Sequence, residues 1–260
     1  MITVRKLFSL KDGTRERKII KILGEWEREL SEGVLPDSLY LKEFFRALTQ
    51  EQTLSSYGDL GTDLSVGSED PLFLRRKINH IRHELIKALG VSPAEWDLIH
   101  RPDLSGAERK IFPCKIYLDE IRSPFNVGSI FRTAECFGVS EILLSAGTAD
   151  PGHLRASRTS MGCTERIPWR RVEIEELRNL NEPVFAMELG GVELDQFIFP
   201  EQGLLILGSE ELGVSPECLA LAEKSRGVVT IPLYGNKTSL NVSVSFGIIM
   251  NDWSGEFLLA

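Results

Sequence analysis

The sequence predicts an α/β protein: a mostly helical N-terminal domain over residues 1–110, then a mainly parallel sheet over 111–260. Two observations carry this. Apolar residues recur at helical spacing through the first part, and beyond about Ile111 short apolar runs alternate with helical segments. Strands that alternate with helices pair in parallel and are covered on both faces. At about 150 residues per domain, a chain of 260 residues holds one large domain or two modest ones.

The elements follow in order. Ile19, Leu23, Trp26 and Leu30 fall on one helix face, as do Leu41, Phe44, Phe45 and Leu48 after Pro36 and Asp37. Asp70-Pro71 supplies an N-cap and a first-turn proline to a helix that turns Leu74, Ile78, Ile81, Leu85 and Leu89 inward. Residues 53–69 are rich in Gly, Ser and Asp and read as a loop, and Ser92-Pro-Ala-Glu95 is a capping box that starts another helix. The expected strands are Lys115–Leu118, Glu141–Ser145, Pro183–Leu189, Leu204–Leu207 and Val228–Ile231; the expected helices are 126–137, 173–180, 216–224 and 239–253. Ligands in such sheets sit beyond the carboxyl ends of the strands, so the loops there are where chemistry belongs.

Composition narrows the class. Hydrophobic residues make up 42% and charged residues 26%, values of a folded chain with a substantial core. No apolar run reaches the roughly 20 residues of a membrane span, and the N-terminus lacks a signal peptide's apolar core, so a cytoplasmic protein is expected. The formal net charge of −8 argues against a nucleic-acid partner only weakly, because the local patch decides phosphate binding. Cys114, Cys136, Cys163 and Cys218 form no C-x-x-C pair, and His80, His83, His100 and His153 form no metal motif. No metal is expected.

Three post-strand segments stand out. The first is Asn126-Val-Gly128-Ser-Ile-Phe-Arg132-Thr-Ala134. Asn126 and Arg132 stand roughly 240° apart on a helix, so they converge only if Asn126 lies at or before the N-cap. The second runs from an apolar strand into Gly208-Ser-Glu210-Glu-Leu-Gly213, where two glycines permit close backbone approach. The third is Ile231-Pro-Leu233-Tyr-Gly235-Asn-Lys-Thr-Ser239-Leu240-Asn241-Val, with Ser239 placed to cap the following helix and Asn241 in its first turn. Taken singly, each segment also fits an ordinary cap or a glycine-rich surface turn.

Together, in this order, they resemble the SpoU (TrmH) family of RNA methyltransferases over about residues 112–255: Asn126, Gly128, Arg132 and Ala134; then Gly208, Glu210 and Gly213; then Ile231, Pro232, Gly235, Ser239, Leu240, Asn241 and Val242. Glu211 departs from a common family glycine. The resemblance implies a C-terminal trefoil knot of the SPOUT type, which general topology would not suggest. It also implies a homodimer through the C-terminal domain, S-adenosylmethionine as methyl donor and a ribose 2′-hydroxyl of tRNA or rRNA as acceptor. Arg132 is then the catalytic residue, with Asn126, Glu210, Ser239 and Asn241 around it; Gly208, Ile231, Leu240 and Leu233 hold the cofactor. A guanidinium is almost always charged, so Arg132 is expected to stabilise an emerging alkoxide, while Glu210 either orients its neighbours or competes as the base.

Two basic stretches fit RNA. Residues 151–171 carry Arg155, Arg158, Arg166, Arg170 and Arg171 against Glu165, with Trp169 for stacking, and residues 71–89 carry Arg75, Arg76, Lys77, Arg82 and Lys87 against Glu84. The first domain is therefore read as an RNA-recognition or positioning domain, with dimer packing as its rival role. The rival functions are a catalytically silent RNA-binding protein of the same fold and a base methyltransferase.

Overall fold

The computed structural model describes residues 2–51, 54, 70–90 and 109–259. The chain divides into two units, Met1–Ala107 and Glu108–Ala260.

The described part of the first unit is helical: α1 (Val4–Phe8), α2 (Thr14–Ser31), α3 (Ser38–Gln50) and α4 (Pro71–Ala88). The apolar stripes bury as their spacing requires. Ile19, Leu23, Trp26 and Leu30 of α2 meet Phe44, Phe45 and Leu48 of α3 and Leu74, Ile78, Ile81 and Leu85 of α4 in one core. Trp26 sits edge-on to Phe44 at 5.0 Å between ring centres. Asp37 caps α3 by accepting from Tyr40 N–H at 2.7 Å, and Asp70 caps α4 by accepting from Leu72 N–H at 2.9 Å. The short α1, capped by Thr3, has too few residues to show a period in sequence. The Ser92–Glu95 capping box and the 53–69 loop, Leu54 apart, lie outside the described residues.

The second unit is a six-stranded, all-parallel sheet: β1 (Phe112–Leu118), β2 (Val139–Leu144), β3 (Trp169–Arg171), β4 (Val184–Glu193), β5 (Gly203–Leu207) and β6 (Gly227–Thr230), in the order β3-β2-β1-β5-β4-β6. Its helices are α5 (Pro124–Cys136), α6 (Leu154–Ser160), α7 (Ile174–Arg178), α8 (Pro216–Glu223) and α9 (Val242–Leu259). Strand alternation sends Ile116, Leu118, Leu205, Leu207 and Phe185 to one face, against Val127, Ile130, Phe131 and Ala134 of α5 and Val242, Phe246, Ile249 and Trp253 of α9. Tyr117, Leu143, Ala186, Leu204 and Ile206 turn to the other face, against Leu177 of α7 and Cys218 and Ala222 of α8. Both faces are covered, as parallel sheets require.

Several sequence expectations are corrected. The first motif helix begins at Pro124 rather than 126, with Ser123 as N-cap, so Asn126 lies inside the first turn. The last helix starts at Val242 rather than 239, and Ser239 does not cap it. β3 and α6 were not anticipated; they lie within the basic stretch. No helix among the described residues is long and apolar enough to cross a membrane, and no group of three or more His, Cys, Asp or Glu among them could hold a metal ion.

Trp253 is fully buried, lies edge-on to Phe185 at 4.8 Å and donates its indole N–H to Pro200 C=O at 2.7 Å. Truncating it leaves a cavity and an orphaned buried carbonyl. Trp253→Ala is expected to lower the stability of the second unit by about 3–5 kcal/mol, read as a shifted urea midpoint.

Candidate functional site

The chain runs outward from β1 through β2 to β3, and the later strands fill the other side, with β5 beside β1. The sheet therefore switches direction between β1 and β5, and the loops leaving those two strands face each other at their carboxyl ends. The loop after β1 leads into α5, and the loop after β5 carries Gly208–Gly213.

Glu210 joins these loops. Its Oε2 accepts from Arg122 N–H at 3.1 Å, and its Oε1 accepts from Ser123 N–H at 3.2 Å and from Asn126 Nδ2 at 2.7 Å. The Asn126 side-chain oxygen in turn accepts from Asn241 Nδ2 at 3.0 Å. Asn241 is the N-cap of α9: its Oδ1 accepts from Ser243 N–H at 2.9 Å and Ser243 Oγ at 2.7 Å. One residue from each sequence motif thus enters a single hydrogen-bonded line. Burial alone would raise the Glu210 pKa, but donors from Asn126, Arg122 and Ser123 outweigh it and hold the carboxyl below its usual value.

Two further acids fasten the same loop, and sequence reasoning missed both. Glu188, within β4, accepts from Val214 N–H at 2.9 Å, and buried Asp119, just after β1, accepts from Ser215 N–H at 2.7 Å. Each follows an apolar strand run directly, which is a signal the sequence does contain. Between them the loop closes on itself, with Ser209 and Gly213 exchanging two backbone hydrogen bonds at 3.0 Å. Gly213 has φ +71°, and a side chain there would strike Glu188. A Cβ on Gly208 would stand 2.2 Å from Val214 N.

The other predicted residues take no part in this hydrogen-bonded line. Arg132 is exposed on α5, on the side of Phe125 and next to buried Gly128, roughly 120° around the helix from Asn126. That side faces α6: a Cβ on Gly128 would stand 2.4 Å from Ala156 O, and the Arg155 guanidinium lies 5.6 Å over the Phe125 ring. Asn126 sits inside the helix, so the condition for its convergence with Arg132, a place at or before the N-cap, is not met. Ser239 is exposed and makes no hydrogen bond among the described residues. Ile231 and Leu233 are half-buried, and Leu240 is 42% exposed.

The basic stretch also divides. Arg155 and Arg158 are exposed on α6, and Arg166 follows the short Cys163–Glu165 turn. Arg170 pairs with Glu141 at 3.0 Å and with Glu176. Arg171 donates to the carbonyls of Ser145 at 2.7 Å and Thr148 at 3.0 Å, fastening the loop after β2. These last two guanidiniums are committed within the fold, which corrects the reading of all five as an RNA surface. A hollow lined by Pro113, Pro183, Gln202 and Arg226 opens at the amino ends of the strands, away from the motif loops.

The fold and site define an open, doubly covered α/β protein whose candidate ligand loops meet at a topological switch point. The chain belongs to the SpoU rRNA Methylase family, whose sequence model matches residues 113–251. It is 31% identical over 140 residues to the 23S rRNA (guanosine(2553)-2′-O)-methyltransferase RlmP of Bacillus subtilis, covering 52% of this chain and 55% of that one. An uncharacterised tRNA/rRNA methyltransferase of Archaeoglobus fulgidus is 30% identical over 168 residues, covering 62% of this chain and 71% of the relative. Among solved structures, the AdoMet-bound rRNA methyltransferase of Sinorhizobium meliloti shares the fold with a TM-score of 0.52 at 22% identity, covering 91% of this chain and 95% of that one.

Two outcomes follow from the loop geometry. Gly208→Ala forces the Ser209–Gly213 closure apart, and proteolysis at residues 208–214 is expected to accelerate while the far-ultraviolet spectrum stays unchanged. Because the Glu210 pKa is depressed in the folded protein, its contribution to stability is present above the usual carboxylate value of 4.5 and is lost as pH falls through the lower folded value. Melting temperatures of wild type and Glu210→Gln should therefore differ at neutral pH and converge in acid; a gap that stays constant would contradict the ionised role.

Proposed function

We propose that the chain methylates a ribose 2′-hydroxyl of tRNA or rRNA, with S-adenosylmethionine as donor, as a homodimer in the cytoplasm. The observation that carries this reading is the Asn241–Asn126–Glu210 line, which ties the three family motifs together at the sheet's switch point. Family membership and the 2′-O activity in the name of the Bacillus relative support the choice of acceptor. A trefoil knot in the C-terminal domain is part of the same proposal. Cys114, Cys136 and Cys218 are free thiols, which suits a reducing compartment.

The residues fit the cofactor. Gly208 lets the loop fold back on itself, with Gly213 and Val214 backbone packed against it, and Ile231, Leu233 and exposed Leu240 offer apolar surface for an adenine. Glu188, Glu210 and Glu211 place negative charge near the loops, which suits a positively charged sulfonium. When bound, that group supplies an activated methyl with a neutral leaving group. The chain's own task is the acceptor. Arg132 forks onto a target phosphate and hydroxyl and stabilises the emerging alkoxide, while the hydroxyl proton passes to that phosphate or to water as the oxygen takes the methyl group. Glu210 is a poor base, since both its oxygens already accept hydrogen bonds and its pKa is lowered. Its role is to orient Asn126 and hold the Arg122–Ser123 backbone. Asn126, Asn241 and Ser239 position ribose and loops. Leu212, Tyr234 and Val244 are exposed apolar side chains in or beside the motif segments, surface that a second copy would cover.

Incubating purified protein with total RNA and methyl-labelled donor, then digesting in alkali, tests the reading. The expected result is label in alkali-resistant dinucleotides, with Arg132→Ala lowering turnover about 10²–10³-fold while RNA affinity is retained. Label in alkali-labile nucleotides would indicate base methylation, and donor and RNA binding without transfer would indicate the silent binding protein.

A further inference from the structure

The strongest unused feature of the first unit is a run of cations on α1 and α2. Arg5, Lys6, Lys11, Arg17 and Lys21 are exposed, and Lys18 is partly so. None of these six is ion-paired among the described residues. The seventh cation of the run, Arg15, is buried and consumed: it meets Asp12 at 2.7 Å, Glu16 at 2.9 Å and Glu51 at 3.2 Å. Those same contacts occupy the only two acids of residues 5–21, because the second carboxylate oxygen of Glu16 also caps Gly13 N–H. The outward surface of this stretch is therefore predominantly positive, with Asp12 its one exposed acid, although the whole chain carries −8.

The basic helix that stood out in sequence is less available. On α4, Arg82 is tied to buried Glu27 at 3.3 Å, and Lys77 lies 5.5 Å over the Phe73 ring. Glu27 also accepts from Asn79, so one edge of α4 serves the contact with α2.

We infer that the α1–α2 strip, Arg5, Lys6, Lys11, Arg17, Lys18 and Lys21, is a docking surface for the phosphate backbone of the substrate RNA. Six cations within 17 residues, against one exposed carboxylate, Asp12, that is already paired with Arg15, form the electrostatic footprint that backbone binding requires. The stretch carries no exposed large hydrophobic side chain, and its Ile19, Ile22 and Leu23 are buried, so it offers nothing to insert into a bilayer. Contacts of this kind read charge and spacing rather than bases, so the strip supplies affinity and orientation and leaves the choice of nucleotide to the second unit. This inference rests on the RNA reading given above.

The test compares full-length wild type with Arg17→Glu/Lys18→Glu/Lys21→Glu and, as a milder form, the same three changed to Gln. The probes are bulk tRNA and fragmented rRNA, with binding measured across a salt series. Removing three phosphate contacts should flatten the slope of log K against log salt by about 2–3 and raise the Kd about tenfold or more. Binding of labelled S-adenosylmethionine should be unchanged, which reports an intact second unit. Arg76→Gln/Lys87→Gln on α4 should change the slope by less than half as much. An unchanged slope in both triple variants, or an equal loss in the α4 pair, overturns the surface. So does a result in which the strip binds anionic phosphatidylserine vesicles while the RNA slope stays fixed. If wild type binds RNA with a steep slope that the triples flatten but transfers no methyl group, the enzymatic reading fails and the surface stands. If wild type binds no RNA, both fail.

Discussion

The second unit depends on the direction of two amides. Asn241 must turn its oxygen toward the open N–H groups of α9, because that is how it caps the helix. Its nitrogen is thereby left to donate, and Asn126 must receive with its oxygen. Asn126 then presents its own nitrogen to Glu210. Every donor in the line points the same way, and the line ends on a group that only accepts. A helix start, a helix first turn and a hairpin after a strand are fixed relative to one another by three side chains separated by 84 and 115 positions along the chain.

Backbone N–H groups that leave a parallel sheet at its carboxyl end have no ladder partner, and buried ones must find another. Here acids supply it. Asp119, Glu188 and Glu210 together receive hydrogen bonds from Arg122, Ser123, Val214 and Ser215. Part of the chain's excess of acids is thus structural mortar at the strand ends and says little about attraction or repulsion at a distant surface. The basic residues behave likewise: Arg171 is spent on carbonyls and Arg82 on a buried carboxylate. Net charge was a poor guide because it counts committed and uncommitted groups alike.

Much of the fold was legible. The stripes on α2, α3 and α4 and five of the six strands follow from periodicity, because each buries enough apolar surface to leave a pattern. β3 left none: it is a three-residue edge strand with every side chain exposed, and its Trp-Arg-Arg composition reads as a charged patch. The site was legible in part. Asn126, Glu210 and Asn241 were named from their motifs and do meet, whereas Arg132 lies around the helix from Asn126 because Asn126 is itself inside the first turn of α5 and six residues separate the two. Proline at its first position and Ser123 as cap were the overlooked signals. Ser239 and Asn241 are both good caps by residue type, and only the geometry decides between them.

The helix Val242–Leu259 is made after all six strands, yet it supplies Phe246, Ile249, Met250 and Trp253 to the core on one face of the sheet. Until that helix is made, α5 alone covers that face, and the part that Trp253 later closes, Phe185 among it, stands open to water and to other chains. Asn241 arrives only with this closing helix. The polar line between the motifs therefore cannot assemble before translation has passed it, and an unfinished polypeptide holds neither a closed core nor a working site.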